Sequence, residues 1–433
     1  MKQIDFYHRE LETLDRARLR QLQDERLRCL PRQLATNRFY VEKSHRAALD
    51  LEMLHSAEDL KRLPFTTKGE LVAEQQAHPP YGRLLTYPLA RYSYLHQTSG
   101  TTGQPLKWLD TREDWENWMR CWGYVYRSAG VREEDLVFCA FSFGPYLSHW
   151  AAIDGARHIG ALCISGGGLS SEQRLRMIIE SDCTVLVCTP TYALHLAEVA
   201  EGMGLDLRSS AIHTTIHAGE PGASVPATRD LIERSFGARC FDHTGMTELG
   251  PTGVSCDARD GVHLIESEFV FEVRDDGGAI HVLPETGTIT GELVATNLGR
   301  WGSPLIRYRT GDRVELTREP CSCGSPFAKM VGGIRGRVDD MFTVRGVNLY
   351  PSQVEDLVRR YTSIGEFRIE VRSVRGMEEV TILCECDGDD GESTVSRLAA
   401  DLRLALGARI ECRPVAIGTL PRSDLKSRRL IRT

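Results

Sequence analysis

Between residues 135 and 241 short apolar runs rich in strand formers alternate with segments of helical spacing. The runs cover 136–143, 161–165, 185–189, 214–218 and 239–241, and the helical segments cover 171–181, 192–203 and 225–236. An alternation of about 25 residues per unit is the pattern of βαβ units, which predicts a parallel sheet. In such sheets ligands bind beyond the carboxyl ends of the strands. Residues 1–90 read as mainly helical: Leu11, Leu14, Leu19 and Leu22 recur among charges, and the stretch 63–67 (LPFTT) interrupts the pattern and caps a helix over 68–75. Residues 250–335 carry shorter strand candidates, 269–273 and 291–296, with more Gly and Pro, so an antiparallel β lobe is expected. After a boundary at 336–340 comes a compact segment of about 95 residues with a helix at 352–361 and strands at 366–373 and 379–386. The expected fold is α/β: a large N-terminal domain (1–336) with parallel-rich βαβ sheets plus a β lobe (250–335), and a small α+β C-terminal domain (340–433).

A chain of 433 residues exceeds what one core organises, which agrees with that division. Lys and Arg number 53 against 60 Asp and Glu, a net charge of 53 − 60 = −7, so nucleic acid is not an expected partner. Apolar residues at 41% and charged residues at 26% fit a soluble globular protein. No stretch reaches the length of an uncharged membrane helix, and the charged N-terminus does not read as a signal peptide. The 13 cysteines are odd in number and several, such as Cys139, Cys163 and Cys188, sit in apolar runs. Buried reduced thiols in a cytoplasmic protein are expected from that.

The run Thr98, Ser99, Gly100, Thr101, Thr102, Gly103 has no bulky side chain. Its two glycines permit a tight turn in which successive N–H groups converge on anionic oxygens. No Gly-Lys-Ser/Thr follows, so it is not a Walker loop, and alone it reads equally as a Ser/Thr/Gly surface loop. Read with later segments it gains meaning. Residues 94–105 (YLHQTSGTTGQP), 242–248 (DHTGMTE), 308–312 (YRTGD), 336–340 (GRVDD) and 418–426 (GTLPRSDLK) resemble, in order, five motifs of adenylate-forming enzymes. Within that superfamily 63–68 (LPFTTK), 217–221 (HAGEP) and 344–355 (VRGVNLYPSQVE) are similar to the phenylacetate-CoA ligase group.

The resemblance implies an ATP-dependent acid–CoA ligase, with ATP, Mg²⁺ and CoA as its reactants and cofactors and a small carboxylic acid as its substrate. Glu248 would hold magnesium, as a hard carboxylate beside phosphates suits that ion. Thr247 would hold the α-phosphate, and Lys426 would bridge the acid and the α-phosphate. Asp312 would accept the ribose hydroxyls. Arg337 and the stretch Ala218, Gly219, Glu220, Pro221 would contact the nucleotide together with Asp242, His243 and Thr244. Asp339 would be the hinge of a mobile C-terminal domain. The plain alternatives are a Thr/Glu helix cap, a Gly-Asp turn and a solvated basic tail. Two departures stand out: Thr244 occupies the place of a usual adenine-stacking aromatic, leaving His243 or 218–221 to hold adenine, and Leu106 stands where many relatives carry lysine.

Residues 141–150 follow a strand, and by resemblance they line the acid pocket. Phe141, Phe143, Tyr146, His149 and Trp150, with Gly245 and Met246, suit an aromatic acid. Ser148 and His149 replace small glycines and argue against phenylacetate itself; core packing of these aromatics is the alternative. Cys321 and Cys323 resemble half a zinc knuckle, and with Cys256 and His263 they could form a structural Cys₃His zinc site, as in similar clusters of this ligase group, or stand as free cysteines in a turn. A carrier protein in place of CoA and a homodimer remain further partners, and a non-enzymatic zinc-binding adaptor is the second class of function.

Overall fold

The computed structural model describes residues 6–98, 105–283, 286–344, 347–374, 377–386, 390–422 and 429–432. Its centre is one mixed sheet of thirteen strands. Five strands run parallel, in the spatial order Leu162–Ser165, Leu136–Cys139, Val185–Cys188, Thr214–His217 and Arg239–Met246. The helices Ser171–Glu180, Pro190–Gly202 and Pro226–Phe236 make the predicted crossovers. Thr189 and Ser170 cap two of them, accepting from backbone N–H groups three residues on, as short hydroxyl side chains do at helix starts.

Two sequence boundaries shift. The run 136–143 forms a strand only to Cys139, because the chain then leaves the sheet, and 239–241 extends to Met246. That extension changes the architecture. Arg239–Met246 pairs in parallel with Thr214–His217 along its first half and antiparallel with Gly250–Ser255 along its second. The expected β lobe is therefore a continuation of the same sheet: Gly250–Ser255, Gly261–Leu264, Lys329–Val331, Tyr308–Thr317, Thr288–Asn297, Phe269–Arg274 and Ile280–Val282 follow one another antiparallel.

One apolar cluster joins the N-terminal helices, through Leu27, Leu30, Tyr40 and Leu63, to the helix Arg112–Ser128 and to the antiparallel strands. A second fills the other face of the parallel strands with Phe138, Leu186, Tyr192 and Phe236. From Phe342 onward a third core forms, including Phe367, Ile382 and Leu398, under a separate sheet in the order Glu411–Val415, Met377–Cys386, Ile364–Val374 and Leu430–Arg432. All 13 cysteines are free thiols. Among the described residues no helix is long and apolar enough to cross a membrane.

Candidate active site

The turn that ends Arg239–Met246 carries Thr247 and Glu248. Gly245 and Gly250 make it tight: a Cβ at Gly245 would meet the Gly250 carbonyl oxygen at 2.8 Å, and Gly250 has φ +95°. Glu248 is only 4% exposed. Its Oε1 lies 3.4 Å from the Lys68 Nζ and accepts from the Tyr308 hydroxyl at 3.4 Å. Its backbone oxygen accepts from the Arg300 Nη1 at 2.7 Å. A buried carboxylate facing a cation and a hydroxyl, at the end of a strand, has the hard-oxygen chemistry that a magnesium ion takes.

The same stretch that starts with Tyr308 brings in Asp312. Gly336–Arg337 pairs with that strand, setting Arg337 opposite Asp312. The Arg337 Nη1 donates to the Asp312 carboxylate at 3.2 Å and to the Thr310 carbonyl at 2.8 Å, and its Nε reaches Asp339 at 3.3 Å. Gly311 has φ +74°, a conformation that favours glycine, and it lets the Arg337 guanidinium come close: a Cβ there would sit 2.7 Å from it. Asp312 and Arg337, expected at the nucleotide, and Asp339, expected at the hinge, thus form one polar chain.

Thr98 is buried at the neck of the glycine-rich run. Its N–H donates to the Leu106 carbonyl and its hydroxyl accepts from the Leu106 N–H, both at 3.0 Å. Ser99, Gly100, Thr101, Thr102, Gly103 and Lys426 lie outside the described residues.

Other expected nucleotide residues have partners within the protein. The Glu220 carboxylate accepts from the Thr191 N–H in the first turn of the helix Pro190–Gly202 at 2.9 Å. The His243 ring stands edge-on to Trp122 at 4.8 Å, and burial holds its pKa down to about 4, keeping it neutral. The Thr244 hydroxyl is taken up by Thr252 at 3.1 Å. Asp242 is buried against the Ser224 hydroxyl, and burial pushes its carboxyl up to about 7.

Of the expected acid-pocket residues, Phe141 and His149 are buried, the latter with Nε2 3.3 Å from the Ser165 hydroxyl. Phe143 and Trp150 are 54% and 44% exposed, and Tyr146 and Gly245 are also exposed. Phe143, Tyr146 and Trp150 lie on the loop between Cys139 and the helix Leu147–His158 and on the first turn of that helix. The Phe143, His149 and Trp150 rings pack against one another, with centroids 4.6 Å, 5.2 Å and 6.0 Å apart. Met246 packs partly buried against the main core.

Cys256, His263, Cys321 and Cys323 come together with their donor atoms all within 4.8 Å of one another. The antiparallel ladder does this: His263 sits opposite Lys329, which brings the Cys321–Cys323 turn back over Cys256. The His263 Nδ1 lies 2.9 Å from the Phe327 carbonyl oxygen, so that nitrogen carries the proton and Nε2 turns its lone pair to the sulfurs, 3.4 Å from the Cys323 Sγ. Three thiols and one imidazole so arranged fit a tetrahedral zinc ion.

Sequence reasoning gave no role to Lys68 or Arg300. Only the LPFTTK stretch hinted at the first; a lone arginine between two strands gave no signal for the second.

Comparison with known proteins shows the family. Residues 346–433 match the AMP-binding enzyme C-terminal domain family. The phenylacetate-coenzyme A ligase of Thermus thermophilus is 33% identical over 88% of this chain and 84% of its own. A crystal structure of 2-hydroxyisobutyryl-CoA ligase in the postadenylation state with R3-HIB-AMP superposes with a TM-score of 0.93 at 29% identity, covering 99% of this chain and 92% of that one. The same enzyme in its thioesterification state, with 2-HIB-AMP and CoA, gives 0.74 at 30% identity over 100% and 94%. The chain belongs to the phenylacetate-CoA ligase group of the adenylate-forming superfamily.

Proposed function

We propose that this protein is an AMP-forming acid–CoA ligase acting on a small, aromatic carboxylic acid. The observation that carries the reading is the convergence of Glu248, Tyr308, Asp312 and Arg337 at the turn and strand ends of one sheet. In the first half-reaction the acid's carboxylate oxygen attacks the α-phosphorus of ATP. A C–O–P bond forms, the bond to the bridging oxygen breaks, and pyrophosphate leaves with that electron pair. In the second, the sulfur of CoA attacks the acyl carbon, AMP leaves, and the thiol proton passes to solvent.

Asp312 and Arg337 orient the ribose, and the Thr247 hydroxyl donates to an α-phosphate oxygen. Glu248 would hold magnesium, which when bound supplies charge neutralisation to the phosphates. Lys426 supplies the cation that bridges the acid and the α-phosphate. The C-terminal unit from about residue 340 turns about Asp339 between the half-reactions; the higher similarity to a postadenylation structure than to a thioesterification one supports two orientations. Cys256, His263, Cys321 and Cys323 would hold a structural zinc ion that staples the strand Gly261–Leu264 to the 321–323 turn.

The test is pyrophosphate release on mixing protein, Mg-ATP and a panel of aryl and small hydroxy acids, with CoA or a carrier protein as acceptor. The reading predicts release with an aryl acid and a CoA thioester seen by mass spectrometry. Release without CoA-dependent AMP formation would transfer the assignment to another acceptor, and no release with any acid would overturn it.

A further inference from the structure

Arg300 is the most deeply buried arginine among the described residues, and the proposed chemistry leaves it unused. Its side chain is 2% exposed, and that of its partner Asp110 is fully buried. Nε and Nη2 donate to the Asp110 Oδ1 at 3.0 and 2.5 Å. The guanidinium lies 4.6 Å from the Trp118 ring centroid and 5.6 Å from that of Trp108. Nη1 then has a single direction left, and it donates to the Glu248 carbonyl at 2.7 Å. The arginine's own loop is fixed as well, because the N–H groups of Gly299 and Arg300 donate to the Asn297 carboxamide at 2.8 and 2.6 Å.

Trp118 bears on the same turn. Its ring, which the guanidinium also faces, is the nearest atom group to Gly250, where a Cβ would approach it at 3.1 Å. The turn is therefore fixed at the Glu248 carbonyl by the guanidinium and at Gly250 by the indole, while the Glu248 side chain projects toward Lys68 and Tyr308. A buried ion pair is poor evidence of stabilisation by itself, since apolar residues of the same volume do as well. What a rigid planar fork adds is direction: it fixes a carbonyl that no neighbouring strand holds in a ladder.

We infer that Arg300 is a positioning residue for the metal carboxylate, fixing the Glu248 turn through its backbone so that the side chain meets magnesium without rearrangement. The inference rests on the adenylation reading of the site.

The experiment measures Mn²⁺ binding by electron paramagnetic resonance in the presence of α,β-methylene-ATP, for wild type, Arg300→Met, Arg300→Lys, Glu248→Gln and the Glu248→Gln/Arg300→Met double variant. A hydrogen bond from a charged donor is worth about tenfold, so Arg300→Met should weaken Mn²⁺ by about that factor. The metal-free affinity for the nucleotide and the KM for the acid should stay as in wild type, while kcat falls at limiting Mg²⁺ and recovers at high Mg²⁺. The double variant should bind Mn²⁺ no more weakly than Glu248→Gln alone, because Arg300 acts through Glu248. Should Arg300→Met fail to fold by circular dichroism, Arg300→Lys, which keeps the charge and loses the fork, carries the same comparison. A folded variant with wild-type Mn²⁺ affinity overturns the inference, as do effects that multiply in the double variant. Wild-type protein that binds no Mn²⁺-nucleotide overturns the adenylation reading and this inference with it.

Discussion

Arg307 joins three parts of the molecule, and removing it has a consequence that can be worked from the contacts. Its Nε and Nη2 form a two-point pair with Glu272 at 2.9 Å each, between side chains 6% and 7% exposed. Its Nη1 donates to the Lys61 and Leu63 carbonyls at 2.9 and 2.7 Å, and the guanidinium lies 4.3 Å from the Phe65 ring centroid. Arg307→Met has similar reach and no donor. It leaves a buried carboxylate unpaired, which costs about 3–5 kcal/mol, and strips two carbonyls of a partner at about 1 kcal/mol each. Part of that returns as water enters, so about 5 kcal/mol is expected. For a cooperative unit of about 340 residues, with an unfolding entropy of about 2.1 cal/mol/K per residue, this lowers the melting temperature by about 7 °C. Arg307→Met/Glu272→Gln removes the stranded charge and should recover about half of the loss. Differential scanning calorimetry measures both. The local signature is faster proteolysis between residues 61 and 67, since the Thr66 N–H donates to the Arg307 carbonyl at 3.0 Å and the Arg309 N–H to the Thr66 carbonyl at 2.9 Å. A single variant that melts with wild type, or a double variant no better than the single, would refute the reasoning.

Two further outcomes follow from other parts of the structure. Protein purified without chelator should carry one zinc per chain by elemental analysis, and Cys323→Ser should lose it and melt several degrees lower; metal-free wild-type protein of unchanged stability would remove zinc from the Cys256–His263–Cys321–Cys323 cluster. The raised Asp242 carboxyl keeps its proton in the folded state between the ordinary value of 3.8 and about 7, whereas the unfolded chain has already lost it. Its contribution is therefore full below the ordinary value and declines as pH rises toward 7. Asp242→Asn should flatten the fall of urea stability across that window, and an unchanged slope would show that Asp242 ionises normally.

The parallel half of the sheet was legible because its signal is local: each strand and helix carries its own periodicity and cap. The five motifs were legible as short strings for the same reason. What could not be read depended on residues distant in sequence. Arg300 and Asp110 are 190 positions apart and meet only once two strand systems close on the helix Arg112–Ser128. The continuity of the sheet rests on one strand changing the sense of its pairing midway, and no residue in Arg239–Met246 marks that change. The exposure of Phe143 and Trp150 was not legible either, since in sequence they resemble core aromatics. The edge-on contact of His243 with Trp122, 121 positions earlier in the chain, gave no sequence signal either.

The C-terminal unit is fastened differently from everything else in the molecule. Among the described residues no strand ladder crosses from the main sheet into it. It is tied by side chains: the Thr228 hydroxyl to Glu355 at 3.1 Å, the Ala227 N–H to Asp356 at 3.2 Å, the Ser352 hydroxyl to the Arg335 carbonyl, and Arg422 to Glu198 at 3.3 Å. Ladder bonds break cooperatively and expose backbone, whereas these four break one at a time and leave both secondary structures whole. They also land on the helices Pro190–Gly202 and Pro226–Phe236 and on Arg335, not on the turn that bears Glu248. Separating the unit would part side-chain contacts alone, the buried Thr228–Glu355 pair among them, and would leave the turn that bears Glu248 and its Arg300 anchor untouched.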